Sequence, residues 1–215
     1  MRPEDSRAET LRAGPGVLGR WGKRAFDVVG ALLLILLLAP LWITIAVLIK
    51  ADSPGPVLFR QRRIGRDGQP FLMLKFRTMV DGADARKPAL LSLNEAADGL
   101  FKIYGDPRIT RIGRRLRETW LDELPQLLQV VTGKMSLVGP RPLVAEEDAQ
   151  IQGEHRQRLS MRPGMTGVWQ VAGASAVPIH QMVHLDSAYV EDWTLWLDLK
   201  VLARTGVNVL LRRGA

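Results

Sequence analysis

The sequence predicts an α+β protein: a small globular domain, with a short β-hairpin and several helices, carried on one long apolar helix. Three observations point there. Val28 to Ile49 is a 22-residue apolar run, interrupted only by Gly30, Pro40 and Thr44. Two alternating segments, Val57–Arg63 and Pro70–Met79, flank the turn signal Asp67-Gly68 and predict a hairpin. Short segments with helical spacing follow, punctuated by glycine and proline, with no long-period repeat.

At 215 residues the chain has room for one domain with its own core plus a membrane element. Its formal charge of +8 implies anionic partners: phospholipid headgroups, phosphorylated substrates or nucleic acid. Charge alone does not choose among them. The absence of cysteine excludes disulfides, a thiolate nucleophile and Cys-based zinc sites, and agrees with a cytoplasmic face.

Residues 1–19 read as a disordered tail, with Gly14-Pro15-Gly16 breaking any helix. Residues 20–50 form the membrane element. The apolar run is long enough to span a bilayer, and it is too long and too far from the N-terminus for a signal peptide. Two features argue for a helix that enters, bends and returns. Pro40 removes a backbone hydrogen bond and kinks the run at Ala39-Pro40, leaving pieces that rise only about 18 and 13 Å against a roughly 30 Å hydrocarbon core. Basic residues also flank both ends: Arg20, Lys23 and Arg24 before, and Lys50, Arg60, Arg62, Arg63 and Arg66 after. From the residues alone, a kinked spanning helix stands beside this re-entrant reading.

Residues 51–188 read as the globular domain. Ser53-Pro54-Gly55-Pro56 ends the first helix, and the hairpin follows. Val80–Asp98 is polar and alanine-rich, helical in part and mobile. Ile109–Leu116 has the spacing of a basic amphipathic helix, and Leu124–Val131 that of a helix closed by Gly133. Arg162–Gly167 reads as a rigid loop and Val168–Val171 as a short strand. From residue 189 to 215, Trp193, Trp196 and Leu197 mix with Lys200, Arg204, Arg212 and Arg213, a pattern that suits an interfacial helix or tryptophans packed in the core.

The chemistry concentrates in Leu121-Asp122-Glu123-Leu124-Pro125. Thr119 and Asp122 can each cap a helix, and carboxylates at such a position commonly favour its dipole. This pair has Arg117 five residues upstream. A carboxylate there can hold Mg²⁺ or attack phosphorus, while an arginine neutralises transferring phosphoryl oxygens. Lys75 and Arg77 lie at i, i+2 and are expected on one strand face. In Gly139-Pro140-Arg141-Pro142 two prolines stiffen the backbone around Arg141, which suits bidentate phosphate binding, and Arg162-Pro163-Gly164 repeats the device. His180 and His184 lack an acidic third ligand at metalloenzyme spacing and read as packing or surface residues.

Taken together, Lys23-Arg24-x-x-Asp27, the proline-broken run, Lys75-Phe76-Arg77-Thr78-Met79, Leu121–Gln126, Met135–Pro142 and Arg162-Pro163-Gly164-x-Thr166-Gly167-x-x-Gln170-Val171 closely resemble the bacterial sugar transferase family, the monotopic polyprenyl-phosphate phosphoglycosyl transferases. The resemblance covers residues 20–212. It implies transfer of a sugar-1-phosphate from a UDP-sugar to polyprenyl (undecaprenyl) phosphate with release of UMP, as the first membrane step of glycan or exopolysaccharide assembly. It also implies a re-entrant helix, Mg²⁺ dependence and a phospho-aspartyl intermediate at the cytoplasmic face of a bacterial inner membrane. By motif match Asp122 is the nucleophile and a Mg²⁺ ligand, with Glu123 as its acidic partner. Lys75, Arg77, Arg117, Arg141, Pro142 and Arg162 are matched to substrate or phosphate binding, and Asp186 to a further acidic position linked to activity. The partners implied are a UDP-sugar, polyprenyl phosphate and membrane phospholipid, with no nucleic acid and a homodimer allowed.

Two departures stand out. The family commonly has Ser-Pro at the helix break where this chain has Ala39-Pro40, and Gly-Arg where it has Gly173-Ala174. The rival reading is a non-catalytic, membrane-tethered adaptor for anionic lipid or nucleic acid, which accounts for the charge and the anchor but not for Asp122-Glu123 beside Arg117.

Overall fold

Helix α1 (Val17–Asp52) runs 36 residues, about 54 Å at the usual rise, and brings both of its halves against the same small domain. This comes from a computed structural model, which describes residues 17–86, 88–94, 103, 105–173 and 178–211. Most of the predicted tail lies outside the described residues, but positions 17–19 already belong to α1.

One stripe of α1 faces the domain. Lys23, Asp27, Ala31, Ile45 and Ile49 are buried at spacings that return to one helix face. The opposite stripe is apolar and bare, with Leu36 at 76% exposure and Leu37 at 74%, alongside Val29, Leu33, Ile43 and Val47. Helical pairing continues through Pro40, so the proline does not end the helix; one turn on, the Thr44 hydroxyl donates to the Pro40 carbonyl at 3.0 Å. The helix is long and apolar enough to cross a membrane, and its bare apolar face is consistent with a membrane location.

Strands β1 (Leu58–Ile64) and β2 (Pro70–Phe76) pair antiparallel, with Leu58 opposite Phe76 and Ile64 opposite Pro70. The turn is made by Asp67 and Gly68, both at positive φ, as the Asp-Gly signal predicts. The free edge of β2 is covered by one side chain. Gln129 accepts from the Leu74 amide at 2.9 Å and donates to the Leu72 carbonyl at 2.5 Å.

Helix α2 (Arg111–Glu118) is capped by Thr110, whose hydroxyl accepts from the Gly113 amide at 3.0 Å. Gly113 lies so close to the strand end that an added Cβ would sit 2.0 Å from the Thr78 carbonyl oxygen. Helix α3 (Gln126–Val131) is short and closes at Gly133, φ 81°. Ile45, Ile49, Phe76 and Leu116 form one core cluster between α1, β2 and α2; Ala31, Leu127, Val130 and Leu137 belong to the main core.

Strand β3 (Ser136–Val138) pairs parallel with β4 (Gly164–Thr166). Helices α4 (Ala145–Asp148) and α5 (Val168–Val171) are single turns. Two predictions are corrected here. The strand lies inside the predicted Arg162–Gly167 loop, because Gly139 and Gly164 let the two backbones touch: a Cβ on Gly164 would fall 2.1 Å from the Gly139 nitrogen. Val168–Val171 is helical, since the Gly167 carbonyl accepts the Val171 amide rather than a neighbouring strand doing so.

The C-terminal stretch is two helices, α6 (Ile179–Glu191) and α7 (Leu195–Leu210), rather than one starting at residue 189. The break falls at Asp192–Thr194, where Thr194 caps α7. Its two tryptophans differ in setting. Trp193 packs on the core and donates to Asp198 at 3.2 Å, whereas Trp196 is exposed beside Lys200.

A buried polar knot ties α7 to α1. The Lys23 ammonium donates to Asp198 Oδ2 at 2.6 Å and to the Val138 carbonyl at 3.0 Å. Tyr189 donates to Asp198 Oδ1 at 2.7 Å, and Asp27 accepts from the Ser136 hydroxyl and the Leu137 amide.

Candidate active site

Asp122 and Glu123 sit on a single 3-10 turn, Leu121–Glu123, between α2 and α3. The expected capping is corrected: α3 starts after Pro125 without a side-chain cap, and the Thr119 hydroxyl donates back to the Arg115 carbonyl at 2.7 Å. What sets the turn is Trp120 at φ 59°, the left-handed region that a bulky residue adopts at a cost of about 1–2 kcal/mol. This strain stands two residues before Asp122.

Lys75, on β2, reaches Glu123 at 2.5 Å. Burial alone pushes the Glu123 carboxyl up, but Lys75, with Arg141 and Arg63, outweighs it and holds the group below its ordinary value. Asp122 behaves oppositely. Burial, with the neighbouring Glu123 charge, pushes its carboxyl up to about 6 despite Lys75 and Arg117. Adjacent carboxylates are thereby differentiated, one held by a lysine and one without a salt bridge among the described residues.

Three arginines act on the pair, Arg117 on Asp122 and Arg141 and Arg63 on Glu123. Arg117 is oriented by Thr78, whose hydroxyl accepts from Nε at 2.8 Å, and burial lowers its pKa. Arg63 comes from β1, where Gln61 and the Pro142 carbonyl hold its guanidinium and Glu147 lies 3.7 Å away. Burial and the nearby Arg141 charge push Arg63 down to about 10. Arg141 lies over the Trp169 ring, 4.7 Å from its centroid. The Arg141 charge depressing Arg63 beside a carboxylate turn marks a place crowded with positive charge, which suits an anion.

Of the sequence-matched residues, Lys75, Arg117 and Glu123 act on Asp122, and Arg141 acts on Glu123 beside it. Pro142 contributes through its carbonyl. Arg77 does not join them: β2 ends at Phe76, so the two-residue alternation lapses, and Arg77 donates to the Ser53 and Pro54 carbonyls at the end of α1. Arg162 is likewise turned away, donating to the Gly133 carbonyl at 2.8 Å. Asp186 is buried against Arg158 at 2.9 Å and accepts from the Arg141 amide, so it touches the site through backbone. His180 and His184 are exposed, and no cluster of three His, Asp or Glu side chains that could hold a metal occurs among the described residues. Ala174 lies outside the described residues.

The sequence reading missed Arg63, Thr78, Trp169 and Arg158. Arg63 had a signal, since Phe59, Gln61 and Arg63 share the less exposed face of an alternating strand. Thr78 stood within a singled-out motif without a role. Nothing local marked Trp169 or Arg158.

A long apolar helix laid along a small α+β domain is consistent with a membrane location, and the carboxylate pair with its neighbouring arginines is the candidate site. The chain belongs to the bacterial sugar transferase family, which it matches over residues 18–212. It is 44% identical over 200 residues to a UDP-galactose-lipid carrier transferase of Erwinia amylovora, covering 91% of this chain and 42% of the relative. It is 42% identical over 215 residues to a UDP-glucose:undecaprenyl-phosphate glucose-1-phosphate transferase of Caulobacter vibrioides, covering 94% and 75%. It is 40% identical over 202 residues to the exopolysaccharide production protein ExoY of Rhizobium meliloti, covering 92% and 89%. The chain therefore spans about two fifths of the length of the first relative and most of the third.

Proposed function

We propose that this chain transfers a sugar-1-phosphate from a UDP-sugar to polyprenyl phosphate, releasing UMP, with Asp122 as the covalent nucleophile. The observation that carries the reading is the asymmetry of the carboxylate pair: Glu123 is neutralised by Lys75, while Asp122 is buried, raised to about 6 and left to face the arginines. A carboxylate with that value is mostly ionised at neutral pH yet poorly stabilised, which favours attack on phosphorus.

In the first half, an Asp122 oxygen forms a bond to the sugar-bearing phosphorus and the bond to the UMP oxygen breaks, with the electron pair leaving on UMP. Arg141, Arg63 and Arg117 take up the charge on the non-bridging oxygens. In the second half, a polyprenyl phosphate oxygen attacks the same phosphorus and the Asp122 carboxylate leaves. Lys75 keeps Glu123 from competing for the phosphorus.

The residues fit a magnesium ion of the shared kind, because Asp122 offers one hard oxygen donor and a diphosphate supplies the rest. When bound, it would neutralise diphosphate oxygens. Both halves of α1 meeting one domain supports a helix held on one face of the bilayer, with the domain on the cytoplasmic side and Trp196, Lys200 and Arg204 of α7 at the headgroups.

The test is UMP release from a panel of UDP-sugars with polyprenyl phosphate, for the parent and for Asp122→Asn. Turnover by the parent and none by the variant is expected. Retained turnover in Asp122→Asn would remove the nucleophile assignment, and a parent inactive on every sugar would favour the adaptor. For the helix, cysteines placed at Ser6 and Ser92 are expected to show the same protection from an impermeant reagent in intact cells; labelling of one alone restores a spanning helix.

A further inference from the structure

Arg141 is gripped at three points, by residues from neither the hairpin nor the carboxylate turn. Its amide donates to Asp186 Oδ2 at 3.1 Å, its carbonyl accepts from Arg158 Nη2, and its guanidinium rests on the Trp169 ring. The grip is itself rigid. The side chains of Arg158 and Asp186 are each 1% exposed and joined at 2.9 Å, with Asp148 3.7 Å from Arg158 on the other side. Trp169 is buried in a cluster with Leu143, Ile151, Met182 and Val183, so its ring is fixed before Arg141 meets it.

A buried ion pair of this kind contributes little net stability, since desolvating two charges offsets most of their attraction. A geometric role accounts for it better. Arg63 stands close enough for its charge to act on Arg141. Left to itself, a half-exposed arginine beside a like charge swings out towards water. The grip opposes that swing.

We propose that Arg158, Asp186 and Trp169 are positioning residues, which hold Arg141 aimed at the donor diphosphate through its two backbone groups and its ring stack. The proposal rests on the transfer reading given above and adds three residues to that same site. It states that these residues act through Arg141 and not on the substrate directly.

A double-mutant cycle tests it. Arg158→Lys keeps the charge opposite Asp186 but loses the fork that reaches the Arg141 carbonyl, and Trp169→Phe keeps an apolar ring with a weaker cation contact. Each is measured in the parent and in an Arg141→Ala background, with kcat/KM for the UDP-sugar and, separately, the affinity for UDP by calorimetry. Arg158→Lys is expected to lower both readouts about tenfold in the parent, Trp169→Phe about threefold, and neither by more than about twofold once Arg141 is alanine. Equal losses in both backgrounds would overturn the proposal and assign the trio to general stability. Arg141→Ala binding UDP as tightly as the parent would overturn it too, because there would be nothing to position. A parent that binds UDP through Arg141 but turns over no UDP-sugar would overturn the transfer reading alone, and the UDP arm of the cycle still decides the grip.

Discussion

The protein contains two buried charge clusters that look alike in composition and are opposite in completeness. Around Lys23, one ammonium meets Asp27 and Asp198, and all four carboxylate oxygens accept from Ser136, Leu137, Tyr189, Trp193 or Lys23 itself. Around Asp122, four cations (Lys75, Arg63, Arg117 and Arg141) act on two adjacent carboxylates, and among the described residues only Glu123 of the two has a salt bridge. The first cluster is closed and fastens α1 to α7 and β3. The second is open and waits for negative charge. Of these two clusters, the one whose partners are left incomplete is the candidate site.

The comparison can be broken or sharpened by substitution. The largest effect is expected at Asp122, where Asn should lower UMP release by about 10⁴-fold or more. The same change should stabilise the protein. The folded pKa of Asp122 lies above the usual aspartate value, so its ionised form weighs against folding at pH above about 6, and that penalty fades as pH falls towards 4. Thermal melts at pH 7.5 should show Asp122→Asn more stable by roughly 1–3 kcal/mol, with the gap closing in acid.

Next comes the closed cluster. Asp198→Ala takes the close carboxylate from buried Lys23, leaving it Asp27 at 3.8 Å, and should destabilise by about 3–5 kcal/mol, read by denaturant unfolding in detergent, while the UMP release of the molecules still folded stays near the parent's. If Asp198→Ala silences turnover in fully folded protein, the division between fastening and chemistry fails.

A smaller effect is expected at Lys75. Its charge lowers the Asp122 pKa, so Lys75→Gln should move the acid limb of the pH–rate profile, centred near 6 in the parent, to higher pH, with kcat/KM at neutral pH reduced about tenfold. A limb that stays in place would show that another group titrates there. The mildest change is Trp193→Phe, which removes one of three donors from Asp198 and should lower stability by about 0.5–1.5 kcal/mol without touching turnover.

The sequence made the open cluster more legible than the closed one. Asp122-Glu123, Lys75, Arg117 and Arg141 were visible because carboxylates and arginines between prolines are conspicuous wherever they fall. The hairpin was legible from alternation and Asp67-Gly68. What escaped was decided by distant contacts. Arg77 looked equivalent to Lys75 until the strand ended between them, and Arg162 looked like Arg141 until its partner proved to be the Gly133 carbonyl. Val168–Val171 has the β-branched content of a strand, but its Val171 amide is taken by the Gly167 carbonyl, so it coils. Lys23 and Asp198 lie 175 positions apart, and no local pattern announces such a pair.

The grip of α1 along its whole length has a mechanical outcome. A rod lashed to a hull near both ends cannot pitch independently of it, so the draught at which the domain floats is set by the width of the rod's bare stripe rather than by the thickness of the sea beneath. On the one-face arrangement and the transfer reading proposed above, the height of Asp122 above the acyl chains would be a fixed property of the protein, and membranes of different thickness should present the lipid phosphate to it at the same level.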